Sequence, residues 1–70
     1  MAKVTAPVTG TVWKIQVRVG DGVTEGQSLV ILESMKMEMP VEAPSSGKVS
    51  AVHVTESQAV EEGDDLVSID

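Results

Sequence analysis

The chain contains one segment twice, and this internal repeat constrains the fold more than any other feature of the sequence. Residues 6–33 align with residues 43–70 at a constant offset of 37, and the alignment needs no gap. The identical pairs are Ala6/Ala43, Pro7/Pro44, Gly10/Gly47, Val12/Val49, Val17/Val54, Val23/Val60, Glu25/Glu62, Gly26/Gly63, Leu29/Leu66 and Val30/Val67. Such a repeat is typical of two copies of one supersecondary unit, so we expect two similar halves that bury a shared apolar face.

Short β-strands separated by turn residues account for the pattern within each copy. Along residues 12–19 apolar and polar side chains alternate from Trp13 onward, which predicts one strand with a single buried face. That face would carry Trp13, Ile15, Val17 and Val19. The run 29–32 is apolar throughout, which predicts a strand that is buried on both faces or crosses a barrel. The second copy predicts strands at 49–54 and 66–69 in the same order.

No stretch shows a helical period, and the prolines, glycines and β-branched residues favour strands and turns. We therefore predict an all-β fold of about eight short strands. Neither copy could cover its apolar face alone, which favours a small flattened barrel or sandwich with pseudo-twofold symmetry. Seventy residues are too few for two independent cores, so we expect residues 1–70 to form a single domain.

Composition excludes several classes of function. The net charge is −6 and the five basic residues are scattered, so nothing in the sequence could neutralise the phosphates of a nucleic acid. There are no cysteines, which excludes disulfides and thiolate metal sites. The N-terminal residues contain no apolar signal region, and no stretch approaches membrane-spanning length. We expect a soluble, cytoplasmic monomer with neither a nucleic-acid nor a membrane partner.

Residues that often carry chemistry do not form a site in this sequence. His53 is the only histidine and lies at an outward strand position, so we expect a surface side chain rather than a metal ligand. The acidic pairs 61–62 and 64–65 lack the alternating spacing of a calcium loop and predict a solvated turn. No nucleophile–base pairing is present, and we expect neither catalytic residues nor a metal.

The nine residues 34–42 join the two copies and place Lys36 between Met35 and Met37. Strands on both sides leave room only for a tight hairpin, whose tip would be Met35-Lys36. Two-residue turns favour Asn-Gly or Asp-Gly because they need positive φ, so Met-Lys is a poor choice on folding grounds. A broken local rule at this joint suggests function rather than an ordinary surface lysine. Exposed methionines suit an adaptable binding surface, whereas we expect Met39 to fill the core.

The string Glu33-Ser34-Met35-Lys36-Met37-Glu38 resembles the attachment motif of the biotinyl/lipoyl domain family, whose Met-Lys-Met core lies in a hairpin between two repeats. The resemblance covers the whole chain and is greatest to small single-domain biotin/lipoyl attachment proteins of the biotin carboxyl carrier type. It implies a barrel-sandwich hybrid, in which a quasi-dyad relates two four-stranded antiparallel sheets. It also implies that Lys36 accepts covalent biotin, and that the ligase recognises Met35 and Met37.

This resemblance implies a non-catalytic carrier. A biotin protein ligase would attach biotin to Lys36, and the arm would shuttle carboxybiotin between biotin carboxylase and carboxyltransferase sites. Two alternatives remain open. One is lipoate on the same lysine, although lipoyl domains usually have Asp and Ala beside it. The other is an unmodified barrel-sandwich interaction module, as in efflux-pump adaptor subunits, although those carry long helical insertions at the hairpin.

The sequence departs from parts of the family in two ways. Ser34 stands where many biotin domains have alanine. The gapless repeat also leaves no room for the protruding insertion of some acetyl-CoA carboxylase carrier subunits. The resemblance therefore implies another type of carboxylase or a free-standing carrier.

Overall fold

A computed structural model describes residues 2–70, and over these residues it contains eight β-strands and no helix. The strands are β1 (Ala2–Thr5), β2 (Gly10–Ile15), β3 (Gly22–Val23), β4 (Ser28–Ser34), β5 (Met37–Glu42), β6 (Gly47–Val52), β7 (Ala59–Val60) and β8 (Asp65–Ile69). No helix long and apolar enough to cross a membrane occurs in this part of the chain. The prediction of an all-β fold with short strands is confirmed.

The strands form two four-stranded antiparallel sheets, in the orders β1-β8-β6-β3 and β5-β4-β2-β7. The offset of 37 residues maps one order onto the other, since β1 matches β5, β8 matches β4, β6 matches β2 and β3 matches β7. Each sheet receives a two-residue edge strand from the opposite copy of the repeat. Neither copy can therefore complete a sheet alone, and the predicted pseudo-twofold barrel-sandwich of two four-stranded sheets is confirmed.

The symmetry reaches further along the chain than the aligned segments 6–33 and 43–70. Strand β1 matches residues 39–42 of β5 at the same offset, and the equivalent residues Val4 and Val41 are both buried. The structural repeat thus spans residues 2–33 and 39–70. Only residues 34–38, at the tip of the β4–β5 hairpin, lack a counterpart within the described chain.

Four β-bulges occur at symmetry-equivalent positions and decide which side chains enter the core. Trp13 is the extra residue of β2 opposite β4, and Ser50 is the extra residue of β6 opposite β8. Leu29 is the extra residue of β4 opposite β5, and Leu66 is the extra residue of β8 opposite β1. A bulge interrupts the alternation of a strand, so Leu29 and Val30 are both fully buried although they are adjacent.

The predicted strand over residues 12–19 is wrong in its length and in two of the four residues of its buried face. Strand β2 ends at Ile15, and the bulge at Trp13 interrupts the alternation, so that Val12 is buried in place of Trp13. Trp13 is 45% exposed, and Val19, which lies in the turn after the strand, is 63% exposed. The other two residues of the predicted face are buried or half-buried. The run 29–32 is also not fully buried on both faces, because Ile31 is only half-buried.

Aliphatic side chains alone form the core, which has no aromatic member. The fully buried ones of largest volume are Leu29, Leu32, Leu66, Ile69, Val12, Val30, Val49 and Val67. A core of this size contributes only a few kcal/mol of net stability, so the turns must also favour the fold.

Four turns with one hydrogen-bonding pattern connect the short strands, at residues 18–21, 24–27, 55–58 and 61–64. In each, the first residue's carbonyl accepts a hydrogen bond from the N–H of the fourth. The first residue's own N–H donates to a side-chain oxygen of the fourth, which is Asp21, Gln27, Gln58 or Asp64. The third residue has positive φ and is Gly20, Gly26, Ser57 or Gly63. These turns follow the same offset of 37 as the strands.

Candidate functional site

Lys36 lies at the tip of the β4–β5 hairpin, in a turn of only two residues. Strand β4 ends at Ser34, β5 begins at Met37, and these two residues pair across the hairpin. Met35 and Lys36 complete the turn with φ values of 52° and 65°. Both values are left-handed, as a type I′ turn requires, yet neither residue is Gly, Asn or Asp. Each such residue costs about 1–3 kcal/mol of backbone strain, which the paired strands must offset.

The side chains of the tip are open to solvent. Met35 is 92% exposed, Met37 is 64% exposed, and Lys36 between them is exposed as well. Among residues 2–70 the Lys36 ammonium takes part in no ion pair. Met39 pairs with the core residue Leu32 but is only half-buried, so it lies at the edge of the core and does not fill it as expected. The hairpin therefore offers an accessible amine between two apolar side chains that the fold leaves uncovered.

Contacts just before the two-residue turn hold this end of the hairpin against the loop before β2. The Ser34 hydroxyl donates to the Thr9 carbonyl at 3.0 Å, and the Thr9 hydroxyl accepts from the Glu62 N–H at 3.3 Å. Gly10 allows this close approach, because a Cβ atom at that position would lie 2.6 Å from the Glu33 carbonyl oxygen. Ser34 is thus connected through Thr9 to a turn of the second copy, and only the residues of the turn beyond Ser34 project freely.

Two carboxylates flank the tip on the outer side of the hairpin. Glu33 and Glu38 pair directly across β4 and β5, and both are exposed. Like charges directly opposite each other destabilise a strand pair, so this arrangement does not serve folding. It places two negative charges on the strands just before and after the turn and makes the end of the hairpin acidic.

The remaining candidate residues take part in structural contacts. His53 is exposed, and its Nε2 lies 2.8 Å from the Ser68 hydroxyl. An Asp64 oxygen accepts the Glu61 N–H in a turn, and Asp65 pairs with the Lys3 ammonium at 3.7 Å. No cluster of three or more metal-ligating side chains occurs within residues 2–70.

A shallow groove of about 350 Å³ lies where the edge strands β1 and β5 meet. Its lining consists of four symmetry-equivalent pairs: Lys3/Pro40, Val4/Val41, Thr5/Glu42 and Pro7/Pro44. Because every lining residue has its equivalent in the groove, the groove follows from the pseudo-twofold packing of the sheets and indicates no ligand.

The structure places Met35, Lys36 and Met37 together at the exposed tip of the hairpin, and sequence reasoning missed the contribution of Thr9. Thr9 belongs to the less similar part of the repeat, and its equivalent is Ser46. The signal available in the sequence was Gly10, which directly follows Thr9 and has an equivalent glycine, Gly47, in the second copy. A glycine retained in both copies indicates a close backbone approach, although it does not reveal which segment approaches.

This arrangement suits a covalent carrier better than a catalyst. An accessible primary amine on a projecting turn can accept an acyl group from another protein, and the exposed methionines can contact that protein. Two symmetry-related sheets that present one such lysine between their repeats define the class of small carrier domains that are modified on a hairpin lysine. The site fits a biotin-type arm, since neither an ion pair nor a covering side chain competes for Lys36 within the described chain.

Comparison with known proteins identifies the family. The family model described as "Biotin-requiring enzyme", of the biotin/lipoyl type, matches residues 1–69, and the chain belongs to this family. The chain is 44% identical over 66 residues to the biotin/lipoyl attachment protein of Bacillus subtilis, which covers 94% of this chain and 90% of that protein. It is 52% identical over 64 residues to the biotin carboxyl carrier protein of Streptococcus mutans, covering 91% of this chain.

The chain spans 49% of the Streptococcus mutans protein, which is about half of its length. Among solved structures, the Kluyveromyces lactis urea carboxylase matches with a TM-score of 0.92 and 38% identity. That match covers 97% of this chain and 6% of the carboxylase chain. The resemblance drawn from the Met-Lys-Met hairpin and the two repeats is confirmed at the level of family and fold.

Proposed function

We propose that this chain is a non-catalytic carrier that holds biotin as an amide on the Lys36 Nζ atom. The observation that carries the proposal is the exposed lysine at the two-residue tip, between Met35 and Met37, in a chain of this family. The names of its relatives support the role, since they include a biotin carboxyl carrier protein and carboxylases. Bound biotin supplies a ureido ring that takes up and releases a carboxyl group, while the protein positions the ring.

Attachment requires a second protein, for which we propose a biotin protein ligase. The ligase presents the biotin carboxyl group as an acyl-adenylate. Lys36 Nζ loses a proton and attacks the acyl carbon, and AMP leaves as the amide bond forms. The chain contributes position: a turn fixed at its base by the Ser34–Thr9 hydrogen bond confines the amine, which lowers the entropy cost of meeting the adenylate. Met35 and Met37 provide apolar contacts for recognition.

The attached arm would reach roughly 14 Å from the Lys36 Cα atom, taking about 11 bonds at ~1.25 Å each. We propose that it serves two sites in the cytoplasm, a biotin carboxylase and a carboxyltransferase, that dock the carrier transiently. The chain's net charge of −6 favours solubility and weak, reversible contacts with such partners.

A lipoyl arm on the same lysine is the second candidate. It is favoured by the match to an attachment protein that is named for both groups and of which the chain covers 90%. Against it stand the methionines on both sides of Lys36. In lipoyl domains these two positions are usually Asp and Ala.

The intact mass of the chain purified from its own cells tests the proposal. Biotin and lipoate add different masses, and an unmodified interaction module adds none. We expect the mass of the biotin adduct. A purely lipoylated chain would select the second candidate, and unmodified protein from cells with an active ligase would refute the carrier role.

A further inference from the structure

The two sheets share one backbone arrangement but differ in the chemistry of their outer faces. In the sheet β5-β4-β2-β7, Pro40 pairs with Ile31, and Ile31 pairs with Lys14. The bulge residue Trp13 lies beside Lys14, whose Nζ is 5.6 Å from the indole centroid. Ile31 projects away from the core, since Val30 and Leu32 on either side of it are buried, and its cross-strand partners Lys14 and Pro40 lie on the same face of the sheet. Trp13 is exposed beside them. We refer to Trp13, Lys14, Ile31 and Pro40 as the Trp13 face.

The opposite sheet provides an internal control for this face. The symmetry-equivalent residues are Ser50, Ala51, Ser68 and Lys3. Three of the four are polar, and the Ser68 hydroxyl lies 2.8 Å from His53 Nε2 while Lys3 pairs with Asp65 at 3.7 Å. The same backbone therefore accommodates serines where the Trp13 face has Trp13 and Ile31. Folding does not require these apolar side chains, and an exposed apolar group that folding does not require indicates an interaction surface.

Negative charges border the Trp13 face. Glu33 and Glu38 lie between it and the tip, Glu42 lies two residues beyond Pro40, and all three are exposed. If a second copy of the chain docked on this face, the carboxylates of both copies would lie close together and repel each other. Each copy carries a net charge of −6, which disfavours such a dimer further. The matching partner is instead a protein whose apolar patch is bordered by lysines and arginines.

We propose that the Trp13 face docks the biotin carboxylase that loads the carrier, an inference that rests on the function proposed above. A site that binds ATP and bicarbonate attracts anions, so its entrance is basic and complements the acidic border of the face. A ligase must contact Lys36 itself, and the tip offers it Met35 and Met37. The carboxylase meets the tip only through the flexible arm and therefore needs a contact on the body of the domain.

The position of the face suits this role. Ile31 lies three residues before the end of β4 at Ser34, about 10 Å at 3.4 Å per residue, and the turn that holds Lys36 follows directly. This distance is comparable with the reach of the arm, which is roughly 14 Å. A partner seated on the Trp13 face would hold β4 and β5 directly, and the projecting tip would deliver the ring into a site at the edge of the contact.

The test uses the biotinylated chain as the substrate of the biotin carboxylase from the same cells, with ATP and bicarbonate. Trp13→Ser and Ile31→Ser each install the residue of the symmetry-equivalent position, and thermal denaturation checks that the variants fold. We expect each to raise KM for the carrier about tenfold with little change in kcat, as for the loss of one anchoring side chain. Val19→Ser is the matched control, since Val19 is 63% exposed but lies outside the face.

The same variants are also given to the biotin ligase, where we expect initial rates equal to wild type. An unchanged carboxylation KM in folded Trp13→Ser would overturn the docking proposal. So would a slower ligase reaction with normal carboxylation, which would assign the face to the ligase. If wild type accepts no biotin, the proposed function fails, whereas normal biotinylation with unchanged KM rejects the docking surface alone.

Discussion

Ser57 occupies the turn position in the second half of the molecule that Gly20 occupies in the first half. Both residues have positive φ, 74° for Ser57 and 98° for Gly20. The surrounding turns match as well, since Arg18 and Thr55 each donate their N–H to the side chain of the residue three positions later. The second copy thus forms the same turn, but the backbone of Ser57 is strained there because serine has a side chain that disfavours positive φ.

Ser57→Gly should therefore stabilise the protein. Relief of about 1–3 kcal/mol of strain exceeds the 0.5–1 kcal/mol entropic cost of glycine, which leaves a gain of about 1 kcal/mol. Ser45→Gly is the control, because Ser45 lies in a loop without positive φ and should be neutral or slightly destabilising. Urea denaturation of both variants measures the effect. A loss of stability in Ser57→Gly would show that the serine side chain outweighs the strain.

Valine at Gly26 or Gly63 should destabilise both halves to a similar extent. Their φ values of 87° and 93° lie in the left-handed region, where a β-branched residue costs about 1–3 kcal/mol. A Cβ atom would meet nothing within 4 Å at either position, so backbone strain alone sets the cost. Gly22→Val is the control, because Gly22 has equal space and no positive φ. If thermal denaturation found Gly26→Val or Gly63→Val as stable as that control, the strain argument would be wrong.

The methionines beside Lys36 should determine which group a ligase attaches. Met35→Asp combined with Met37→Ala should retain the fold, since both side chains are largely exposed. It should lower biotinylation and raise lipoylation, because an apolar recess that fits methionine rejects a carboxylate that would lose its hydration. The measurement is the mass of the adduct after incubation with each ligase, and Met35→Leu with Met37→Leu serves as the control for shape. Unchanged selectivity in the folded Asp/Ala variant would show that geometry alone marks Lys36.

The sequence predicted the architecture because the repeat is an architectural signal. A gapless offset of 37 predicts two superposable halves, and the valine-rich, aromatic-poor composition predicts strands. The tip was predictable for a similar reason, since Lys36 lies in the joint that the symmetry isolates. Its left-handed φ value matches the turn that such a short joint requires.

The β-bulges could not be predicted from the alternation of residues. A regular period of two from Trp13 to Val19 indicated one buried face, but the extra residue at position 13 shifts the register against β4. Trp13 is therefore exposed while Val12 is buried. A bulge depends on the partner strand, and the local pattern contains no information about that partner. The repeat itself held a clue, because position 13 aligns with Ser50, a poor residue for a buried face.

The central claim is that the hairpin, and not lysine chemistry in general, selects the attachment site. Lys36→Arg retains the charge at the tip and should keep the fold while it abolishes biotinylation. Lys48→Arg is the matched control, an exposed lysine in β6 whose loss should leave biotinylation unchanged. The most direct measurement is peptide mapping by mass spectrometry after incubation with ligase, biotin and ATP. We predict the adduct on Lys36 in wild type and in Lys48→Arg, and none in Lys36→Arg, whereas an adduct on Lys3, Lys14 or Lys48 of the Lys36→Arg variant would contradict the account.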